Sequence, residues 1–166
     1  MLGGTPSSKP EFGPLLPIGR HELSLGELRQ LCVDGFPLST TRLQIMGGLE
    51  RVVQRLIDGH IQGELWVNGS FVTQKMNPED VDLVLRVLAE VYDQGTVEQK
   101  QAIDWLETNL KGSHLCHSFV FMEWPEGHPN YSFGEHMYSY WMKQFGFSRG
   151  EEVKGIAVVT LPGGVL

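Results

Sequence analysis

Apolar residues Leu43, Met46, Leu49, Val52, Val53, Leu56 and Ile57 recur at three- and four-residue spacings, the period of a helix with one buried face. Ser39 to Thr41 are its capping candidates, and Gly59 lies just past its end. A shorter helix is expected over Leu23 to Leu31, opened by Ser24 with Glu27 in capping-box position. The period then changes. Glu64 to Asn68 reads as a strand, and Val81 to Val87 as a second, in which Val81, Leu83, Leu85 and Val87 alternate with Asp82, Val84 and Arg86. A short helix is expected over Leu88 to Tyr92, and a longer one over Thr96 to Leu110, with Thr96 and Gln99 in capping-box register and Gly112 beyond its end. His117 to Trp124 is a strand rich in aromatic and branched residues, stopped by Pro125. Ser132 and Glu135 open a further helix through Phe145, and Gly155 to Leu161 is a last strand. The order α-α-β-β-α-β-α-β predicts an α/β (α+β) fold, a small mixed sheet flanked by helices.

Residues 1–19 are rich in proline, glycine and serine and are expected to be extended or disordered, with residues 20–166 forming the domain. Phe12, Leu15, Leu16 and Ile18 are positioned to strap the end of this segment across the domain surface. With 166 residues and 41% hydrophobic content the chain can bury one core, and no run approaches the roughly 18 apolar residues of a membrane span. The first ten residues lack the basic start and apolar stretch of a secretory signal, and Cys32 and Cys116 stand far apart, so a cytoplasmic protein with reduced thiols is expected. A net charge of −7 argues against broad nucleic-acid binding, since phosphate contacts dominate that affinity. It suits a protein partner, or a site that gathers a divalent cation before a nucleotide.

The candidate chemistry lies between the first two strands. Gly69-Ser70 falls at the end of one and Asp80-x-Asp82 at the start of the next, so the two meet at one end of a sheet. Glycine lets a phosphate approach the backbone, and Ser70 with the amides after it supplies donors, especially where residues 71–75 begin a helical turn. Lys75 is a candidate for neutralising a β- or γ-phosphate. Asp80 and Asp82, two residues apart on a strand, project from one face, where two carboxylates suit Mg²⁺ or Mn²⁺ carrying a nucleoside triphosphate. In a two-ion arrangement one ion activates the attacking hydroxyl and the other stabilises the leaving pyrophosphate.

Gly-Ser followed by Asp-x-Asp resembles the signature of the nucleotidyltransferase superfamily in its minimal bacterial form. Leu15-Leu16-Pro17-x-Gly19-x-His21-Glu22, Gly69-Ser-Phe-Val-Thr-x-Lys75, Glu126-Gly-His-Pro129, and Tyr140-Trp-x-x-x-Phe-Gly-Phe147 through Lys154-Gly-Ile156 are similar to a family of small bacterial and phage proteins of unknown function, considered nucleotidyltransferase-like. The likeness spans roughly residues 11–162. It implies transfer of a nucleoside monophosphate from an NTP to a hydroxyl. Active members usually place a third carboxylate on a neighbouring strand, where this chain carries no aspartate. Alternation puts His117 and Glu123 on one face, and Glu123 is the expected stand-in, as metal ligand or general base. The alternative is a non-catalytic interaction module of the same fold, for example a toxin–antitoxin or phage-defence component.

Overall fold

Alternation along Val81–Leu88 (β3) divides the strand cleanly. Leu83, Leu85 and Val87 are buried in the larger core, whereas Val84 packs into a smaller one on the other face. A strand covered on both faces needs partners on both edges. The computed structural model, which describes residues 12–163, supplies them from Gln62–Asn68 (β2) and Cys116–Glu123 (β4). With Gly19–Glu22 (β1) and Gly155–Pro162 (β5) they make a five-stranded sheet in the order β1-β5-β2-β3-β4. β2 runs antiparallel to β3 and β5, while β1–β5 and β3–β4 are parallel pairs. The fold is mixed α/β. No helix among the described residues is long and apolar enough to cross a membrane.

The larger core lies under helix α2 (Arg42–Asp58), whose Ile45, Met46, Leu49, Val52, Val53 and Leu56 are buried. Leu43 and Ile57 fall at the edges of the expected stripe and are exposed, and Ile45 is buried instead. Thr41 is the capping position, but Ser39 Oγ accepts from the Arg42 amide at 3.2 Å and does the capping. Ahead of it, α1 (Leu25–Arg29) is capped by Ser24, whose hydroxyl accepts from the Glu27 amide, and passes directly into a π-helical turn, Gln30–Asp34. Ala89–Asp93 (α3) and Val97–Leu106 (α4) follow β3, with the Thr96–Gln99 capping box formed in both directions.

The expected helix to Leu110 stops at Leu106. Thr108 turns its hydroxyl back onto the Trp105 carbonyl at 2.6 Å, and Asn109 accepts from the Lys111 amide, so a separate turn, α5 (Lys111–His114), contains Gly112. Helix α6 (Tyr131–Gly146) covers the opposite face of the sheet, where Trp141 and Phe145 join Trp66, Val84, Phe121, Ile156 and Val158. Its first residue is Tyr131, and Ser132 does not cap it.

The expected strap is present over residues 12–18, whereas residues 1–11 lie outside the described residues. Leu15 N donates to Val72 O and Gln74 N to Gly13 O, and Gly155 N donates to Leu16 O, so the strap ties the 72–74 loop to the start of β5. It then enters β1, which pairs in parallel with β5 from Gly19↔Gly155 to Glu22↔Val158.

The 71–75 loop is held from below by Arg42, whose side chain is fully buried. Its guanidinium donates to the carbonyls of Cys32 (2.9 Å), Phe71 (2.6 Å), Thr73 (2.6 Å) and Lys75 (2.6 and 3.1 Å), and Phe36 stacks 3.7 Å from it. Replacing it by methionine keeps most of the volume and strands these carbonyls. Arg42→Met is expected to lower unfolding free energy by about 3 kcal/mol or more, because each buried polar group left unpaired costs about 1–3 kcal/mol. A urea-denaturation midpoint measured at unchanged slope checks it. Arg42→Lys should recover little, since an ammonium cannot reproduce the planar fork.

Candidate active site

β2 ends at Asn68, which is 1% exposed and polar, and its amide is fully used. Its Nδ2 donates to Phe145 O at 2.8 Å and to Gly155 O at 3.0 Å, and its Oδ1 accepts from Gly69 N at 2.7 Å. One side chain thereby joins β2, the end of α6 and the start of β5. Gly69 follows at φ 86, ψ −167, a region open essentially to glycine alone. A Cβ there would stand 2.6 Å from Asp82 Oδ2. The absent side chain is what lets the Gly-Ser turn lie against Asp82.

Ser70 begins a three-residue 3₁₀ turn, Ser70–Val72. The amides after it are not an open cradle. Val72 N and Thr73 N close onto Gly69 O and Ser70 O, Gln74 N is taken by Gly13 O, and Lys75 N by Thr73 Oγ1. Of the amides of residues 71–75 expected to face a phosphate, those of 72–75 are therefore already taken within the turn and strap. The turn is too short and too internally bonded to present them.

Asp80 lies just before β3 and Asp82 is its second residue, paired in register with Asn68 on one side and His117 on the other. Their side chains are 30% and 36% exposed. Lys111 Nζ lies 3.6 Å from Asp80 Oδ2, and His117 Nδ1 lies 3.4 Å from Asp82 Oδ1. Burial, and then the negative charge of Asp80, push the Asp82 carboxyl above its ordinary range, against the opposing pull of His117, Lys154 and Lys111. Gly69, Ser70, Lys75, Glu79, Asp80, Asp82, Lys111, His117 and Lys154 all line one open cavity of about 1670 Å³. Its far wall is the C-terminal half of α6 and residues 147–153.

Glu123 is not part of this site. It does share a sheet face with His117, but it sits six residues further along β4, roughly 20 Å at 3.3 Å per residue. Arg86 engages both of its oxygens. Arg86 also reaches Glu64, and Glu64 accepts from Arg20 and from the Trp66 indole. Burial alone would raise the Glu64 carboxyl, but these donors outweigh it and hold it below the usual range. Glu123 therefore belongs to an ion-pair network at the opposite end of the sheet. The group beside the aspartates is His117. Lys111 and Lys154 are not site candidates on sequence because they come from distant segments, α5 and the approach to β5, which the fold brings to the same cavity.

Among the described residues no three His, Cys, Asp or Glu side chains converge as a metal site of their own. Burial pushes the thiols of Cys32 and Cys116 up to about 12, so neither is a ready thiolate ligand. A carboxylate pair nevertheless fits Mg²⁺, which usually takes one or two carboxylates and completes its shell with water and substrate phosphates.

Because the folded state raises the Asp82 pKa, its charge is tolerated better in the unfolded chain. The associated stability is complete below the ordinary aspartate pKa and is lost as pH rises through the raised value. Asp82→Asn is accordingly expected to raise the ligand-free melting temperature at pH 7, with the gain shrinking towards pH 4. Melting curves across that range check it, and a variant less stable at every pH would contradict the crowding. Gly69→Ala should cost about 1–3 kcal/mol from the strained backbone and displace Asp82 as well.

The chain matches the model of a family of unknown function, DUF6932, over residues 10–160. No match to it was found among the curated proteins or among the solved structures. A match of that extent runs from the strap into β5 and spans both halves of the cavity wall, and the protein belongs to the DUF6932 family.

Proposed function

We propose that the cavity takes a nucleoside triphosphate with Mg²⁺ or Mn²⁺ and transfers its nucleoside monophosphate to a hydroxyl acceptor. The observation that carries this reading is the meeting of Gly69-Ser70 and Asp80-Asp82, from separate strands, on one cavity wall, with Asp82 crowded by Asp80. Two carboxylates held close in a partly buried site are expensive without a cation between them. The likeness to the nucleotidyltransferase signature gives the same assignment, and the neighbouring parallel strand carries His117 where that family usually has a third carboxylate.

Asp80 and Asp82 would hold the metal, which supplies charge neutralisation for the phosphates and activation of the acceptor hydroxyl. Gly69 allows the triphosphate to approach, and Ser70 offers a hydroxyl. The acceptor oxygen forms a bond to the α-phosphorus as the bond from that phosphorus to the α–β bridging oxygen breaks, and pyrophosphate leaves with the electron pair. The acceptor's proton would pass to His117, whose Nδ1 lies 3.4 Å from Asp82 Oδ1, through its Nε2.

A second reading, a non-catalytic interaction module such as one half of a toxin–antitoxin or phage-defence pair, draws support from the rim of the same cavity. Phe12, Ile18, Tyr140, Phe147 and Val153 line it and are all exposed. Thermal shift with each of the four NTPs and Mg²⁺ or Mn²⁺ separates the two. One NTP is expected to raise the melting temperature, worth about 2.7 kcal/mol at a hundredfold excess over Kd, and Asp80→Asn or Asp82→Asn should abolish the rise. His117→Ala should keep binding and lower turnover by about 10²–10⁴-fold, the usual loss for a general base. With no shift at millimolar NTP, the interaction reading takes over.

A further inference from the structure

A triphosphate brings several negative charges to a wall that already holds Asp80, Asp82 and Glu79. Backbone amides offset little of this charge, because those of residues 72–75 are bonded within the turn and strap and Gly69 N is bonded to Asn68, which leaves at most those of Ser70 and Phe71. The neutralising charge must come from side chains. Lys111 is already drawn to Asp80, and Lys75 sits on the flank of the loop, its carbonyl held by Arg42.

Lys154 enters from the other side. β5 pairs antiparallel with β2, ending at Val67↔Ala157. Beyond that pair the Asn68 side chain takes over, donating to Gly155 O and accepting from Gly69 N, and Lys154 lines the same cavity as Gly69, Ser70 and Asp82. The backbone there is fixed at three points: Lys154 N donates to Gly146 O at 2.9 Å, Gly155 N donates to Leu16 O at 3.2 Å, and Gly155 O accepts from Asn68 at 3.0 Å. Close packing against the strap enforces this, since a Cβ at Gly155 would meet Pro17 O at 2.2 Å. Two strand spacings, roughly 10 Å, separate β5 from β3. A lysine stem is long enough to narrow that gap, and Lys154 and Asp82 line the same cavity. Lys154 is in fact among the cations whose field reaches Asp82.

We propose that Lys154 is the phosphate-binding lysine of this site, its ammonium meeting the pyrophosphate end of the nucleotide in the cavity it shares with Gly69, Ser70 and Asp82. This rests on the nucleotidyl-transfer reading above. Lysine suits such a place as a compact point charge on a flexible stem.

The test is calorimetric titration of the full chain with the four NTPs and Mg²⁺, with the corresponding monophosphates, and with magnesium pyrophosphate. The variants are Lys154→Met, Lys154→Arg and, as a charge control on α4 away from the cavity, Lys100→Met. Lys154→Met is expected to weaken triphosphate and pyrophosphate binding about tenfold or more, the usual loss for one charge-assisted contact, and monophosphate binding much less. Lys154→Arg should recover most of the loss, and Lys100→Met should bind as wild type. Wild-type affinity in Lys154→Met, or an equal loss for mono- and triphosphate, would overturn the assignment while leaving the transfer reading intact. Lys154-dependent binding of magnesium pyrophosphate with no binding of any NTP would sink the transfer reading and keep the lysine. Binding of neither by the wild type would remove both.

Discussion

Everything at the site end of this protein depends on one buried cation. Arg42 sits at the first position of α2 with its guanidinium wholly out of solvent, and among the described residues it forms no ion pair with a carboxylate. Four carbonyl oxygens from two separate segments, with the face of Phe36, take the place of a counterion. Burial pulls its pKa down, yet arginine starts so high that it keeps its charge. A lysine or a neutral side chain could not bond Cys32, Phe71, Thr73 and Lys75 at once. The result is that the loop joining the Gly-Ser turn to the Asp-x-Asp strand is fastened to α2 and to the π-helical turn.

Asn68 performs the matching task from above. Arg42 satisfies acceptors of the loop, and Asn68 satisfies two carbonyls and one amide where β2, α6 and β5 converge. Between the two clamps Gly69 is held in a backbone region that other residues avoid, with the Asp82 carboxylate against its Cα. The strap of residues 12–18 closes the remaining gap by bonding the 72–74 loop on one side and Gly155 on the other. The far end of the sheet is built differently. There Arg20, Glu64, Arg86 and Glu123 neutralise one another on the surface, and no charge is left crowded.

Much of this was legible in the chain. The spacing of Met46, Leu49, Val52, Val53 and Leu56 gave α2, Ser24 and Thr96 with their partners gave two helix starts, and alternation placed Asp82 and Arg86 on the face opposite Leu83 and Leu85. What failed was distance and register. His117 and Glu123 do share a face, as a period of two requires, but that period says nothing of which end of the strand meets Asp82. The pairing Asp82↔His117 decides it. β1 was invisible because Gly19-Arg-His-Glu22 has no apolar rhythm, and its extended form follows from pairing with β5. Arg42 gave no signal either, since a charged residue beside a helix start reads as solvated until its acceptors, up to 33 residues away, are known.

The two functional readings make different demands on this architecture. A surface that only bound a partner would gain from the apolar rim formed by Tyr140, Phe147 and Val153, and it would have no use for a carboxylate whose ionisation the fold opposes. The turn against which Asp82 lies is fixed by Asn68, and the loop leading on towards Asp80 by Arg42 and the strap, at cost in buried polar groups and a strained glycine. Strain and crowded charge of this kind persist where the surroundings over-determine them, and they cluster at sites that act on a ligand. The crowding would be relieved by a cation between the carboxylates, whose remaining positions water and a polyphosphate's oxygens can fill. On the proposed reading the clamped turn is one half of a metal–nucleotide site, and the apolar rim would receive whatever carries the acceptor hydroxyl.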